Sequence, residues 1–281
     1  MMDGMPEGDT VFKTARGLNQ ALAGSELTRC DLRVPKLATV DLTGKAVEAV
    51  QPRGKHLLIR FSNGWTLHSH LRMEGAWKVF RAGEPLRGGP AHQIRAILGT
   101  ARYTAVGYQL PVLELVRTAE EARVVGHLGP DLLDPAWTPA SADEAVFRLR
   151  ADPLRTIGEA LLDQRNLAGI GNIYKCELCF LNGITPWTEA GGAHDLWHLV
   201  AQARRLLLAN VDRPIRVTTG ETRPGRTLWV YGRRRDACLR CGTRVRVANQ
   251  GASGEERVTY WCPHCQQGPG PHANAWTPDQ G

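Results

Sequence analysis

Two cysteine pairs near the carboxyl end constrain this chain more than any other feature. Cys238-Leu-Arg-Cys241 and Cys262-Pro-His-Cys265 are C-x-x-C knuckles with 20 residues between them. Each knuckle turns two thiols toward one point, and a hairpin between them brings both pairs into a tetrahedral set. The expected ligand is one structural Zn2+ held by Cys238, Cys241, Cys262 and Cys265; His264, inside the second knuckle, is surplus to that shell. A ribbon this short buries little core, so the metal is expected to supply its folding energy. Of the seven cysteines, Cys30, Cys176 and Cys179 remain. Cys176 and Cys179 share a face at i and i+3 of a predicted helix. They read as buried apolar thiols, because an iron–sulfur site needs two more ligands and only Cys30 is left.

The chain has 281 residues, enough for one large domain or two to three small ones, and 35 Lys and Arg against 28 Asp and Glu give a net charge of +7. That excess favours a polyanionic partner, since each neutralised phosphate releases counterions. No apolar run approaches the roughly 20 residues that span a bilayer. The first residues lack the basic and apolar regions of a secretory signal. A cytoplasmic location is expected, with thiols reduced or metal-bound.

Helical spacing of Val11, Phe12, Ala15, Leu18 and Leu22 predicts a helix over 10–23. Its amino end offers unpaired N–H groups and a positive dipole next to Pro6-Glu7. Short β-rich runs follow at 47–50, 56–61, 65–71, 76–80, 94–98, 102–106 and 112–116, with Asn63-Gly64 as a hairpin turn. Many short strands between Gly and Pro turns suggest a sandwich or barrel. After about residue 130 the pattern becomes helical, with helices expected at 141–150, 156–163, 172–181 and 194–210. Residues 211–228, with Arg213, Arg216, Arg223 and Arg226, read as an exposed, mobile basic loop. The fold class is therefore α+β and multidomain: an N-terminal helix plus β-sandwich over 1–134, a helical domain over 135–228, a zinc ribbon over 229–267 and a disordered tail over 268–281. No internal repeat is present.

Two stretches carry chemistry. Between 162 and 174 a helix ends, a glycine-rich turn follows, and a second helix starts at Asn172; backbone N–H groups and the Asn172 amide there make a phosphate seat. At the other end, Met5-Pro6-Glu7 matters if Met5 is the true start. Loss of that methionine leaves Pro6 with a free secondary amine beside a carboxylate. Residues 1–4 then read as an upstream extension.

Taken together, Pro6-Glu7-Gly8, Gly54-Lys55, Ser69-His70-Leu71-Arg72-Met73-Glu74-Gly75, the 163–174 helix–two-turn–helix run and the four-cysteine ribbon resemble the formamidopyrimidine-DNA glycosylase / endonuclease VIII family across nearly the whole chain. The resemblance implies a monomeric bifunctional DNA glycosylase and abasic-site lyase of base excision repair. Its partner would be double-stranded DNA with damaged bases or abasic sites, and it would be nucleoid-associated in a bacterial-type cytoplasm. A base buried in the stack must be extruded before any chemistry on its sugar. By resemblance Met73 fills the gap, Arg72 lies beside it, Asn172 grips phosphate, and His70 and His127 are weaker DNA contacts. Pro6 attacks C1′. An α-amine titrates near 7.7–8.0 against about 10.4 for lysine, so far more of it is neutral at pH 7, and a secondary amine yields a cationic iminium directly. Glu7 shuttles protons. Lys55 binds phosphate and takes part in β-elimination. Arg257, five residues before Cys262, grips the leaving phosphate.

Gly107-Tyr108-Gln109-Leu110-Pro111 is similar to the endonuclease VIII branch, which favours oxidised pyrimidines, whereas Leu71–Gly75 is similar to the purine branch. An oxidised-purine enzyme remains the alternative, as does a catalytically silent binder of damaged DNA if residues 1–5 stay in place. A zinc-ribbon transcription factor leaves Pro-Glu-Gly unexplained.

Overall fold

The computed structural model describes residues 6–193 and 195–271. The chain divides into two compact units, one ending at His127 and the other running from Leu128. The proposed extension at 1–4, His194 and most of the tail lie outside the described residues.

The first unit opens with α1, Gly8–Leu22, on which Val11, Ala15, Leu18 and Leu22 form one buried stripe. It starts two residues before the predicted Thr10. Glu7 takes the N-cap position, and its carbonyl accepts from the Val11 N–H at 3.0 Å. Eight strands follow: β1 (Arg29–Leu32), β2 (Val47–Arg53), β3 (His56–Phe61), β4 (Trp65–His70), β5 (Ala76–Arg81), β6 (Ile94–Gly99), β7 (Tyr103–Tyr108) and β8 (Val112–Arg117). They make two antiparallel four-stranded sheets, ordered β1-β6-β7-β5 and β2-β3-β4-β8. Leu57, Ile59, Phe61 and Leu67 from one sheet and Ala96, Leu98 and Ala105 from the other share one core with the α1 stripe. The expected sandwich is therefore built around a helix. Within it Trp77 Nε1 donates to Ser69 Oγ at 3.1 Å, a buried bond between the sheets.

Three local features depart from expectation. Strand β1 was not anticipated, because only Leu32 of its four residues is buried and no alternation is visible. The single turn α2, Ala122–Val125, buries nothing and has no periodic signal. At the β3–β4 turn only Gly64 has positive φ, +74°, and its N–H donates to Phe61 O at 3.0 Å. The connection is thus three residues long, with glycine alone taking the left-handed position.

The second unit contains α3 (Pro139–Arg150), α4 (Ile157–Leu162), α5 (Asn172–Leu181), α6 (Leu196–Asn210) and the antiparallel hairpin β9 (Arg246–Gln250) and β10 (Arg257–Trp261). Thr138 and Ser141 form a capping box at α3. Every residue of α5 from Asn172 to Phe180 is buried, the mark of a central helix enclosed on all sides.

Candidate active site

Pro6 and Glu7 stand at the amino end of α1, Pro6 half-buried and Glu7 buried. The helix dipole favours negative charge at that end. Lys55 sits on the two-residue connection between β2 and β3. Arg53 pairs with His56, Gly54 has φ +58° and Lys55 does not have positive φ. That is a type II′ hairpin turn, which needs glycine at its first central position and so presents Lys55 at the tip.

The strands around Lys55 are amphipathic across their pleat. Leu57, Ile59 and Leu67 enter the core, so the alternating residues face the other side of the sheet. Cross-strand pairing puts His56 opposite His70, and His68 opposite both Leu58 and Glu114. His56 Nδ1 lies 2.8 Å from His68 Nε2, and His68 Nδ1 lies 2.8 Å from Glu114 Oε1. The His56 and His68 ring planes lie within 17° of each other, end to end along that bond, and His56 makes edge contacts with His70 and His127 at centroid distances of 4.9 and 5.9 Å. Burial first, then the charges of His70, His68, His127 and Lys55, push His56 down to about 3. Burial, then Lys55, Arg72 and His68, push His70 down to about 4. Both rings are neutral at physiological pH. The segment covering this polar face is pinned by Arg60, whose Nη2 and Nε donate to Glu121 at 2.6 and 2.7 Å, with Thr66 Oγ1 donating to Glu121 at 2.6 Å.

Immediately after β4 the chain turns. Leu71 is anchored in the core at 2% exposure, while Met73 is 64% exposed. Arg72 adopts φ +48°, and its N–H donates to His70 Nδ1 at 3.0 Å. A core role for Met73 is excluded by that exposure.

In the second unit the α4–α5 turn is tied by Gln164, whose amide donates to Leu162 O and Ile170 O, both at 2.9 Å, and accepts from Gly169 N. Arg165 and Arg155 hold the Asp163 carboxyl well below the usual range. Asn172 follows, 4% exposed. One amide proton goes to Val258 O at 2.7 Å, and among the described residues its Oδ1 has no partner. Asn172 is thereby tied to β10, the strand that Arg257 opens. Arg257 is exposed and donates from Nη1 to Glu255 O and Glu256 O at 3.2 Å.

The four ribbon sulfurs lie within 4.8 Å of one another, with Cys238–Cys265 at 3.9 Å and Cys241–Cys262 at 3.5 Å. Such a cluster is able to hold a metal ion. Cys176 and Cys179 are fully buried in α5 and take no part in it; burial pushes Cys179 up to about 12, as expected of an inert thiol.

Sequence reasoning named His70 and His127 singly and missed His56, His68 and Glu114, although His68 and His70 at i, i+2 were a usable sign of a shared face. It also missed Glu177. This fully buried carboxylate accepts from Trp229, Val230 and Tyr231 N–H at 2.8, 2.9 and 2.9 Å and from Thr218 Oγ1. Burial raises its pKa while those four donors oppose the rise. The 211–228 segment is therefore fastened rather than loose at both ends. Asn210 brackets buried Val217 with two bonds of 2.8 and 2.9 Å, and Arg216 lies over the Tyr174 ring. Arg223 and Arg226 between those ends are exposed.

Residues 5–109 match the formamidopyrimidine-DNA glycosylase N-terminal domain, and residues 128–214 match the formamidopyrimidine-DNA glycosylase H2TH domain. The chain is 62% identical to a probable endonuclease 8 2 of Streptomyces coelicolor, over 97% of this chain and 98% of the relative. It is 50% identical to the DNA-(apurinic or apyrimidinic site) lyase Nei2 of Mycolicibacterium smegmatis, over 93% and 99%. Among solved structures, Lactococcus lactis Fpg (MutM) bound to DNA containing an oxidized pyrimidine matches with TM-score 0.73 and 26% identity, over 94% of this chain and all of that one. With these matches spanning nearly its full length, the chain belongs to the formamidopyrimidine-DNA glycosylase / endonuclease VIII family, on its endonuclease VIII side.

Proposed function

We propose that the protein is a bifunctional DNA glycosylase and abasic-site lyase of base excision repair, acting on oxidised pyrimidines and abasic sites in duplex DNA. The observation that carries this reading is Pro6-Glu7 at the amino end of α1, in a chain half or more identical to an endonuclease 8 and an abasic-site lyase. The Pro6 amine attacks C1′ and displaces the base. Glu7, buried at the helix start, handles the proton at the opening sugar. The iminium then draws electrons from the C2′–H bond, and the 3′ phosphate leaves. Lys55, at the tip of its turn, binds phosphate beside the lesion and assists that elimination. Exposed Met73 fills the space left by the extruded nucleotide, and Arg72, His70 and His127 contact the DNA. Asn172 and Arg257, joined through β10, hold the backbone phosphate.

In this reading residues 1–134 carry catalysis, 135–228 grip the DNA and 229–267 form the ribbon. Four sulfurs and no nitrogen or oxygen ligand suit Zn2+; Cys238, Cys241, Cys262 and Cys265 would hold it, and it would stabilise the hairpin that presents Arg257. The protein works as a cytoplasmic monomer. Among the described residues no helix is long and apolar enough to cross a membrane.

The chemistry requires Pro6 to be the mature amino terminus. Borohydride added to protein and an abasic duplex should leave one covalent adduct per active molecule, mapping to Pro6. Intact mass of the natural protein should begin at Pro6. An adduct that maps to a lysine instead of the terminal amine, or a natural protein that retains residues 1–5 and traps nothing, would overturn the reading. A panel of thymine glycol, 8-oxoguanine and abasic duplexes tests the lesion class.

A further inference from the structure

The polar face of the β2-β3-β4-β8 sheet carries a chain of groups that the proposed chemistry has not used. A carboxylate oxygen only accepts, so His68 must carry its proton on Nδ1 to bond Glu114 Oε1 at 2.8 Å. With the His68 ring neutral its Nε2 is an acceptor, and His56 donates to it from Nδ1 across 2.8 Å. That leaves His56 Nε2 as a bare acceptor. His70 is fixed in the opposite sense. Its Nδ1 accepts the Arg72 N–H, so the neutral ring carries its proton on Nε2. One carboxylate thus sets the tautomers of two rings in succession, ending one residue from Lys55.

At its other end the chain opens to solvent. Glu114 is 48% exposed, while the His68 side chain between it and His56 is 4% exposed. Beside them is a cavity of about 630 Å³ lined by His56, His68, Glu114, Arg117, Glu120 and Arg123. Its charged wall comes from β8, from the turn after it and from α2. Lys55 precedes His56 on the same hairpin, His70 faces it from β4, and His127 faces it from beyond α2.

We propose that Glu114, His68 and His56 form a proton relay that carries the proton released in β-elimination from the Lys55 turn to the cavity. The inference rests on the lyase reading above. The C2′–H bond breaks, its electron pair forms the C1′–C2′ double bond as the iminium is neutralised, and His56 Nε2 takes the proton. His56 gives its Nδ1 proton to His68 Nε2, His68 gives its Nδ1 proton to Glu114, and Glu114 releases it to water. Both rings are then left with their protons on Nε2; they reset when a proton from water enters at Glu114 and passes to His68 Nδ1, the His68 Nε2 proton returns to His56 Nδ1, and the His56 Nε2 proton leaves to the departing phosphate, so that the protein gains and loses protons in equal number. Because burial keeps His56 far from stable protonation, it transmits the proton without storing it. His68 and Glu114 act through His56 and are positioning residues.

The test uses full-length protein on a preformed abasic duplex in single turnover. Glu114→Ala should slow strand nicking about 10- to 100-fold, the range of a lost proton-transfer group. Its borohydride adduct should form as in wild type, because iminium formation precedes the relay. Formate, small enough for the cavity, should restore most of the lost rate. Glu114→Gln keeps an oxygen for His68 but cannot take a proton; it should be as slow and formate should not restore it. The rate in H2O–D2O mixtures should depend on more than one transferred proton in wild type. Wild-type nicking rates in both variants, or a deficit in Glu114→Ala that formate leaves untouched while adduct yield and melting temperature match wild type, would overturn the relay alone. Absence of any adduct with wild type starting at Pro6 would instead overturn the lyase reading and the relay with it.

Discussion

Glu177 offers the sharpest test of how the second unit is held together. Its carboxylate is fully buried and collects four donors from two separate stretches of chain. In Glu177→Ala all four lose their acceptor. An orphaned buried donor costs about 1–3 kcal/mol. Val230 is fully buried and sits at the upper part of that range; Trp229 and Tyr231 are half-buried, so water entering the vacated space recovers part of their loss. Relief of the carboxylate's own desolvation offsets some of the remainder. The net is a destabilisation of about 3–5 kcal/mol, in the range for breaking a buried charged network. Glu177→Gln separates charge from shape. Its oxygen still serves Val230 and Tyr231, but its NH2 faces the Trp229 N–H and Thr218, and about 2 kcal/mol is lost. Urea unfolding followed by tryptophan fluorescence reads the outcome directly, because Trp229 stacks on Phe180 at 5.3 Å. With a slope of about 2 kcal/mol/M, Glu177→Ala should lower the midpoint by about 2 M and Glu177→Gln by about 1 M. A Gln variant as stable as wild type would refute the reasoning, since the second carboxylate oxygen would then contribute nothing that an amide NH2 does not.

Other expectations concern the cluster, the turn and the ribbon. The depressed pKa of His56 favours the neutral ring in the folded state, so its stability contribution is complete above about 6.5 and is lost as pH falls toward about 3. Melting temperature should drop steadily below pH 6.5, at up to about 1.4 kcal/mol per pH unit, and His56→Gln should flatten that slope. Met73→Ala should change the melting temperature by less than the equivalent of about 0.5 kcal/mol, as for an exposed side chain, while weakening binding to abasic duplex in a gel-shift titration. The protein should contain one equivalent of zinc by elemental analysis. Cys241→Ser or chelation should release it and weaken DNA binding, because the metal would hold the two knuckles together while only a few side chains, Val245, Ala248 and Trp261 among them, pack the hairpin onto its neighbours.

What the sequence disclosed follows from how each signal is encoded. The seven strands that alternate in character and the spaced cysteines were visible because pleat and knuckle are local patterns. Strand β1 was hidden because an edge strand with one buried residue has no period. Nothing in the sequence sets Lys175 and Glu177 apart from other helical charges. Only the enclosure of α5 on every side, a tertiary property, reveals that Glu177 is a latch and that Lys175 Nζ is committed to Thr259. The histidines were considered one at a time for contact with DNA. Their mutual bonds depend on register across β3, β4 and β8, which the Gly54 turn fixes but which no single residue announces. The basic segment at 211–228 looked loose from composition, yet its ends are the best-anchored part of the loop.

That anchoring bears on how such a chain can diversify. With Val217 clasped by Asn210 at one end and residues 229–231 clasped by Glu177 at the other, the ends stay in place whatever lies between them. Closing a longer loop between fixed points adds only about 0.6 kcal/mol for each doubling of its length. The stretch carrying Arg223 and Arg226 can therefore gain, lose or exchange residues almost independently of the fold, and a graft between Thr219 and Thr227 should be tolerated where a single insertion in α5 would not.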